Sequence, residues 1–256
     1  MPDTLLASLV VAATTLIGTL AYLIVERRKL RHETGKQNQL LTDAVRAATA
    51  NLVYPYAVDA VRTYTTILDA DGSAELECTF VGFRAVRGTA VRSFDGDLES
   101  TGSISDGPHL IFRSRPDMEL LTESPQANRV AYSVKFASEL TSTDPPCSFT
   151  IRHRTTSALY VHADKIRERY KGDVMQFEFA SETVQTPMER LEISVDFGPF
   201  TGIHCFPNVT FGERNIPAVE ERQRVEASFV WDGRTVRWTI DMPQPGLRYL
   251  TCWYGI

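Results

Sequence analysis

The 256 residues of this chain are 43% apolar, 10% aromatic and 23% charged. This is the composition of a globular protein, and it excludes intrinsically disordered and collagen-like proteins. The 27 basic residues are outnumbered by 32 acidic ones, which gives a formal net charge of −5. A generally basic nucleic-acid-binding protein is therefore excluded, and no nucleic-acid partner is expected.

The first feature, after a short N-terminal end of residues 1–3, is an uncharged apolar stretch from Thr4 to Val25. As an α-helix these 22 residues would reach about 33 Å at roughly 1.5 Å per residue. That is enough to cross a hydrocarbon core of about 30 Å. The stretch predicts a single transmembrane helix over residues 4–25, with the lipid bilayer as its partner. A buried helix of a soluble protein is the alternative, although such a helix needs polar residues at intervals.

Five basic residues follow the predicted helix and none precedes it. They are Arg27, Arg28, Lys29, Arg31 and Lys36. A cleaved secretory signal has its basic residues in front and a shorter apolar run, so the pattern favours an uncleaved anchor. Because basic flanks stay on the cytoplasmic side, we expect the N-terminus outside and the C-terminal domain in the cytoplasm. Small residues spaced by four, such as Ser8 and Ala12, are compatible with a homo-oligomer, but they are also common in single membrane helices.

Residues 26–54 combine this basic juxtamembrane segment with a predicted amphipathic connector helix. Leu41, Val45 and Leu52 belong to its apolar face, and Pro55 ends it because proline lacks the amide donor. The connector either pairs with a second copy or packs on its own domain, and the sequence leaves both open. After residue 36 there remain 22 basic and 29 acidic residues, a net charge of −7.

From residue 55 onward, apolar and polar residues alternate with a period of two. The apolar sets are Leu76, Cys78 and Phe80; Val130, Tyr132, Val134 and Phe136; Met175, Phe177 and Phe179; Leu191, Ile193, Val195 and Phe197; Val225, Ala227 and Phe229; and Val236, Trp238 and Ile240. Such strands bury one face and expose the other, which is typical of antiparallel sheets. The chain is therefore predicted to be mainly β, with an antiparallel β-sandwich domain, immunoglobulin-like or related, over residues 55–256. A split into two domains near residue 145 is the alternative.

Turn residues agree with this pattern. Asp232-Gly233 and Asp71-Gly72 each lie between two alternating runs, where a hairpin turn needs the positive φ that these residues tolerate. A short helix is predicted over residues 164–173, with Asp164 as its N-cap.

The four cysteines are far apart in sequence, and no C-x-x-C pair indicates a zinc site. In a cytoplasmic domain they are expected to stay reduced, with Cys78 and Cys252 as small core residues. An extracytoplasmic domain with paired cysteines is a further alternative. The acidic loop containing Asp95, Asp97 and Glu99 departs from a calcium-binding loop and is interpreted as solvated. No metal and no cofactor is predicted.

The segment of residues 198–217 is predicted to be a long loop, rich in glycine, proline and aromatic residues. Long connections of this kind often bind ligands, so Phe200, His204, Cys205 and Phe206 are the candidate ligand-binding residues. The alternative is that these aromatic side chains close the open end of the domain.

No catalytic set is assembled in the sequence. The leading hypothesis is a single-pass membrane-anchored protein that presents a non-catalytic binding domain, as a sensor, effector or scaffold, for an unknown protein or small-molecule ligand at the cytoplasmic face. The alternative is a membrane-tethered enzyme, such as a hydrolase. Its site would use His153 and His162, which have acid–base potential, or the His204-Cys205 loop.

Overall fold

A computed structural model describes residues 54–123, 126–171, 177–211 and 216–256. All of them belong to one compact unit, Leu52–Ile256. The predicted transmembrane helix and connector lie outside the described residues. Within the described ranges, no helix is long and apolar enough to cross a membrane.

The described chain is mainly β, with fourteen strands in three sheets and two short helices. The strands are β1 Tyr56–Ile67, β2 Ala74–Ala85, β3 Ala90–Glu99, β4 Ser103–Arg113, β5 Met118–Thr122, β6 Arg129–Thr141, β7 Cys147–Thr156, β8 Glu178–Thr183, β9 Met188–Asp196, β10 His204–Phe211, β11 Ile216–Pro217, β12 Phe229–Trp231, β13 Thr235–Asp241 and β14 Leu247–Tyr254. The helices are α1 Ala163–Arg169 and α2 Val219–Val225, and a 3-10 turn, Glu226–Ser228, follows α2.

The sheets differ in size. The seven-stranded sheet has the order β12-β13-β9-β1-β2-β7-β4, the four-stranded sheet β11-β10-β14-β8, and the three-stranded sheet β3-β6-β5. The expectation of purely antiparallel pairing is wrong at one place, because β1 and β9 are parallel, with Val61 opposite Leu191. Alternation along a strand reports which residues are buried and not the direction of the strand, so it does not predict this parallel pair.

Both smaller sheets contact the same face of the seven-stranded sheet, as the side chains of β2 show. Ala74 and Leu76 pack into the core cluster that holds Trp253 of the four-stranded sheet. Phe80, on the same face, contacts Phe94 of the three-stranded sheet with ring centroids 4.6 Å apart. Strand β2 therefore runs beneath both small sheets, and Cys78 lies where they meet.

The core under the three-stranded sheet is aromatic. Its rings belong to Tyr56, Phe80, Phe83, Phe94, Tyr132, Phe136 and Phe149. A β-bulge between Phe80 and Phe83 lets both rings face this core although they are three residues apart. Gly82 in the bulge has φ +68°, and a Cβ there would lie 2.0 Å from a carboxylate oxygen of Asp59. The bulge therefore requires glycine.

The other face of the seven-stranded sheet meets solvent and carries cross-strand ion pairs. Arg62 lies 3.1 Å from Glu192, Arg154 2.7 Å from Glu75, and Arg234 3.2 Å from Asp196. Exposed pairs of this kind each contribute at most about 1 kcal/mol. The division into a buried and a solvated face is the one that the alternating patterns predict: Leu191, Ile193, Val195 and Phe197, for example, are all buried.

Three local predictions need correction. The expected strand through Val225 and Ala227 is helix α2 followed by the 3-10 turn, and strand β12 begins at Phe229. The predicted short helix exists as α1, but Asp164 lies in its first turn and the N-cap is His162, which makes no side-chain capping bond.

The third correction concerns β8. Phe177 and Phe179 were expected to be its buried residues; both are half-buried, and Glu178 between them is fully buried. Met175 lies outside the described residues.

The two Asp-Gly turns are confirmed. Asp232-Gly233 joins β12 to β13, with Gly233 at φ 93° and the Asp232 carboxylate accepting the amides of Arg234 and Thr235 at 3.0 and 2.7 Å. Gly72, at φ 87°, lies in the turn between β1 and β2.

Candidate functional site

All three sheets line a cleft of about 450 Å³, which we call the junction cleft. Its apolar wall includes Leu76 of β2, Leu159 of the segment after β7, and Phe179 and Ala180 of β8. Its mouth is polar and includes Glu99 and Asn128 from the three-stranded sheet and the turn before β6. The cleft lies where β8, the edge strand of the four-stranded sheet, meets the three-stranded sheet above β2 and β7.

The cleft contains a buried hydroxyl with no partner. Thr155 of β7 is 3% exposed, and its Oγ1 has no hydrogen-bond partner within the described ranges. The buried Oγ1 of Thr251, whose backbone pairs with that of the cleft residue Ala180, also has no hydrogen-bond partner within the described ranges. A buried polar group without a hydrogen bond costs about 1–3 kcal/mol. Such groups beside a cavity indicate a position where water or a ligand binds.

Glu182 belongs to β8, the strand that forms one side of the cleft, but it is not one of the residues that line the cleft. It shares a strand face with Ala180, which lines the cleft, because residues two apart point the same way. It also interacts with Arg248, another lining residue, and with Cys78, two residues along β2 from Leu76. Glu182 accepts no hydrogen bond from the described residues, and it keeps some contact with solvent although it lies deep in the protein.

Burial dominates the electrostatics of Glu182. Desolvation raises its pKa to about 7, and the positive charge of Arg248 offsets this only in part. The Arg248 guanidinium is itself engaged, since its Nε donates to Ser181 Oγ at 2.8 Å and its Cζ lies 5.1 Å from the Phe179 ring centroid.

Two other groups that interact with Glu182, the thiol of Cys78 and the hydroxyl of Tyr132, stay neutral. Burial raises the pKa of Cys78 and of Tyr132 well above their ordinary values, and the charge of Glu182 adds to both shifts. A thiol is nucleophilic only as its thiolate. The thiol of Cys78 is therefore suited to packing and not to attack on a substrate.

A buried ion pair holds the wall of the cleft in place. Glu178 of β8 is 0% exposed and lies 2.9 Å from Arg169 of α1. Tyr170 donates its hydroxyl to the same carboxylate at 2.9 Å, and the amide of Tyr160 does so at 3.4 Å. Burial raises the pKa of Glu178, and the charge of Arg169 opposes that rise. Arg169 also donates to Thr101 Oγ1, in the cleft wall, at 3.0 Å.

The four candidate residues of the 198–217 segment do not line the junction cleft. The predicted loop contains strand β10, whose alternation places His204 and Cys205 on opposite faces. His204 is exposed, whereas Cys205 packs on the core and burial raises its pKa to about 12. Phe206 stacks on Tyr254 with ring centroids 5.1 Å apart, and Phe200 packs on the core cluster. Ligand binding by these residues stays a prediction.

The two histidines of the enzyme alternative lie in different environments. His153 of β7 is half-buried, and desolvation lowers its pKa to about 4, so its imidazole is neutral at physiological pH. His162 is exposed and precedes α1. Across the described ranges, no three His, Cys, Asp or Glu side chains are grouped so that they could hold a metal ion. All four cysteines are free thiols.

Comparison with known proteins yields no family. No protein-family profile matches the chain, and no curated protein matches its sequence. Among solved structures, native leukotriene A4 hydrolase from Saccharomyces cerevisiae is 11% identical, with a TM-score of 0.42 over 77% of this chain and 29% of that one. An M1 zinc metallopeptidase from Deinococcus radiodurans is 10% identical, with a TM-score of 0.37 over 77% of this chain and 42% of that one. The chain thus spans less than half of either protein, and at these TM-scores the likeness carries no argument about activity.

Proposed function

We propose that this protein is a non-catalytic binding module, anchored in a membrane by one helix, whose β-sandwich domain takes a small ligand in the junction cleft. The sandwich consists of the two small sheets facing the large one, in an immunoglobulin-like or related arrangement. The observation that carries the proposal is a cleft with apolar walls in which the buried hydroxyl of Thr155 lacks a hydrogen-bond partner among the described residues.

The size and chemistry of the cleft support ligand binding. Small-molecule sites are typically concavities of roughly 300–1,000 Å³ with apolar walls and a few converging polar groups. The junction cleft, at about 450 Å³, lies within this range.

The state of the candidate nucleophiles favours binding over catalysis. Burial raises the pKa of Cys147 to about 11 and of Cys205 to about 12, so neither thiol ionises at neutral pH. His204 points away from Cys205 along an extended strand, which leaves that thiol without the adjacent base that activates a nucleophile. These features give the hydrolase alternative less support than the binding module.

The membrane part of the proposal rests on the sequence. The 22 uncharged residues from Thr4 to Val25 and the basic cluster Arg27–Lys36 would anchor the β domain at the cytoplasmic face. Anchoring concentrates the module near other membrane proteins, as a sensor, effector or scaffold requires. The full chain is expected in the membrane fraction after alkaline extraction, with the C-terminus sensitive to protease only from the cytoplasmic side. Protection of the C-terminus would overturn the orientation.

Ligand binding is testable with a variant that blocks the cleft. Asn128 is exposed at the mouth, so Asn128→Trp places a large ring over the entrance without disturbing the core. Val230→Trp, on exposed edge strand β12, is the matched control. We expect saturation-transfer NMR on the full chain in detergent to find fragments that bind the wild type and Val230→Trp but not Asn128→Trp. If every fragment that binds also binds Asn128→Trp, the cleft is not the site.

A further inference from the structure

We propose that strand β5 binds an extended segment of another protein as an added antiparallel strand, in which apolar and basic residues alternate. This site is separate from the junction cleft and does not depend on a ligand there. The inference follows from the backbone groups at the free edge of β5, from an open apolar slot beside that edge, and from the charges along it.

The slot lies between two sheet edges, those of β4 in the seven-stranded sheet and β5 in the three-stranded sheet. Residues 114–117 join the two strands at one end, and a space of about 550 Å³ opens beside them. We call this space the edge slot. Leu110 of β4 and Leu120 of β5 line it and are only half-buried. Because Leu120 pairs with the buried Val134, its side chain points between the sheets, and the core is open to solvent on this side.

Every second residue of β5 directs its backbone N–H and C=O towards the free edge. The amide of Glu123 donates to the carbonyl of Ala131 on β6 at 3.0 Å. In an antiparallel pair, hydrogen-bonded and non-hydrogen-bonded positions alternate. Leu120 and Thr122 therefore direct their backbone groups away from β6, to a side where the described chain places no further strand. These groups are available to an added strand.

Strand β4, the other border of the edge slot, cannot accept a regular strand. Its pairing with β7 shifts in register at three places, and Pro108 has no amide donor. Bulges and prolines of this kind keep edge strands from pairing with other chains. Strand β5 pairs with β6 without a register shift from Met118 to Thr122, so it lacks this protection. An added strand therefore extends the three-stranded sheet.

The edge slot selects apolar side chains on the inner face of the added strand. A residue opposite Leu120 points the same way as Leu120, between the sheets and towards Leu110. Gly107 leaves room for it, because a Cβ built on this glycine would have no atom within 4 Å. Apolar side chains in the slot would remove their own surface and that of both leucines from water.

The outer face of β5 accommodates basic side chains. Glu119 and Leu121 are exposed there, and Lys135 of β6 lies opposite Glu119. A lysine on the added strand would meet the Glu119 carboxylate from the other side, and its aliphatic stem would cover Leu121. An acidic residue in that position would be repelled by Glu119, since like charges on neighbouring strands are destabilising.

The mouth of the edge slot is also acidic. Glu123 is exposed at the end of β5 and lines the slot, and its partner on β6 is the uncharged Ala131. The other ionisable lining residue is His109, whose Nε2 lies 2.8 Å from the Asp106 carboxylate. That carboxylate balances the positive charge that His109 carries when it is protonated. Both the edge and the mouth therefore favour a basic occupant.

The N-terminal residues of the chain do not have the required pattern. Residues 4–25 are a continuous apolar run, and the apolar residues of the connector, such as Leu41, Val45 and Ala48, recur at intervals of four and three. A strand that fills the edge slot needs apolar residues at intervals of two. The occupant is therefore a segment of a different protein.

The test uses a fluorescent, end-blocked peptide of four Lys-Val repeats, titrated with the full chain in detergent and followed by anisotropy. In antiparallel addition the valine N–H groups bond to β5, and the lysine N–H groups face solvent. N-methylation of the valines should therefore weaken binding at least about tenfold, whereas N-methylation of the lysines should change it little. A peptide of four Glu-Val repeats should bind more weakly than the Lys-Val peptide.

Variants of the protein locate the site. Gly107→Trp fills the edge slot at a glycine whose φ is not positive, and it should remove most of the binding. Val230→Trp, on exposed edge strand β12, is the matched control. Thr122→Pro removes one N–H at the free edge and should weaken binding about threefold to tenfold, whereas Thr122→Val keeps that N–H and should not weaken it. Circular dichroism establishes that each variant is folded.

Several outcomes would overturn the inference. One is a Lys-Val peptide that does not bind the wild type; another is equal weakening by the two N-methylated forms, which would exclude pairing with β5. Unchanged binding to Gly107→Trp would exclude the edge slot, and equal binding of the Glu-Val peptide would exclude the preference for a basic occupant. A dimer in sedimentation that Thr122→Pro dissociates would show that a second copy occupies β5 instead. None of these results decides the proposed function, which Asn128→Trp tests at the junction cleft.

Discussion

Replacing Glu178 by alanine should be one of the most damaging single changes in the β domain. The substitution removes a fully buried carboxylate that accepts hydrogen bonds from Arg169 and Tyr170, each at 2.9 Å, and from the amide of Tyr160 at 3.4 Å. It leaves the guanidinium of Arg169, whose side chain is 16% exposed, without its counter-ion. Loss of one partner of a buried pair costs about 3–5 kcal/mol, chiefly because the other charge stays behind.

The lower end of that range applies here. Arg169 still donates to the carbonyl oxygens of Ser157 and Ala158 and to Thr101 Oγ1, so the stranded charge keeps part of its solvation. We expect Glu178→Ala to lower the free energy of unfolding by about 3 kcal/mol. A single domain has about 5–15 kcal/mol in total, so this loss is a large fraction of its stability.

The assay is urea unfolding of the full chain, followed by tryptophan fluorescence. Trp253 reports on this region, because it is buried and its Nε1 donates to the carbonyl of Tyr160 at 2.9 Å. The matched control is Glu168→Ala, one residue before Arg169 on the exposed side of α1, where the contact to Lys165 is 4.0 Å long. That change should cost no more than about 0.5 kcal/mol. If Glu178→Ala costs no more than Glu168→Ala, the reasoning about the buried network is refuted.

The raised pKa of Glu178 is consistent with this large loss. It means that burial disfavours the charged carboxylate more than Arg169 favours it. A buried pair can contribute little net stability and still be costly to break from one side. The double variant Arg169→Met/Glu178→Leu should therefore be more stable than Glu178→Ala, since it leaves no buried charge without a partner.

Three further predictions concern single residues. Burial raises the pKa of Glu182 in the folded protein to about 7, against an ordinary 4.5. Its contribution to stability is therefore complete below about pH 4.5 and is lost as the pH rises through 7. Glu182→Gln should flatten this dependence and raise the unfolding free energy at pH 8 by up to about 3 kcal/mol, measured by urea unfolding at pH 5 and pH 8. Gly82→Ala places a Cβ 2.0 Å from a carboxylate oxygen of Asp59, at a residue whose φ is +68°. It should lower the melting temperature far more than the control Gly88→Ala, where φ is +85° but no atom lies within 4 Å of the new Cβ. Equal shifts in the melting temperature would contradict the steric argument. Phe83→Ala, in the aromatic core at 0% exposure, should cost about 3–5 kcal/mol in the same urea assay.

The part of the fold that the sequence predicts is the part in which each strand meets water on one side. In β9 and β6 the apolar residues alternate with polar ones, and both patterns are confirmed by burial of the apolar set. The turn at Gly233 was predictable because its backbone conformation limits which residues fit there. Each of these signals is local: the residues that carry it are neighbours in the chain.

The errors occur where partners distant in the chain decide the structure. The parallel pairing of β1 with β9 joins residues about 130 positions apart. The alternation of Val225, Ala227 and Phe229 was too short to separate a strand from a helix, and the Glu- and Arg-rich run before it forms α2. The cleft was missed for the same reason, because its lining comes from all three sheets and from segments that no sequence spacing relates.

Strand β8 shows why composition and alternation alone did not reveal which acidic residues are buried. Glu178 and Glu182 are four residues apart on one face of the strand, and burial raises the pKa of both. Glu178 is matched by Arg169 and Tyr170, so its carboxylate serves the fold. Glu182 accepts no hydrogen bond from the described residues, so burial raises its pKa with only the charge of Arg248 in opposition. Two glutamates on the same strand face thus differ in their environment according to the hydrogen-bond donors that distant parts of the chain bring to each.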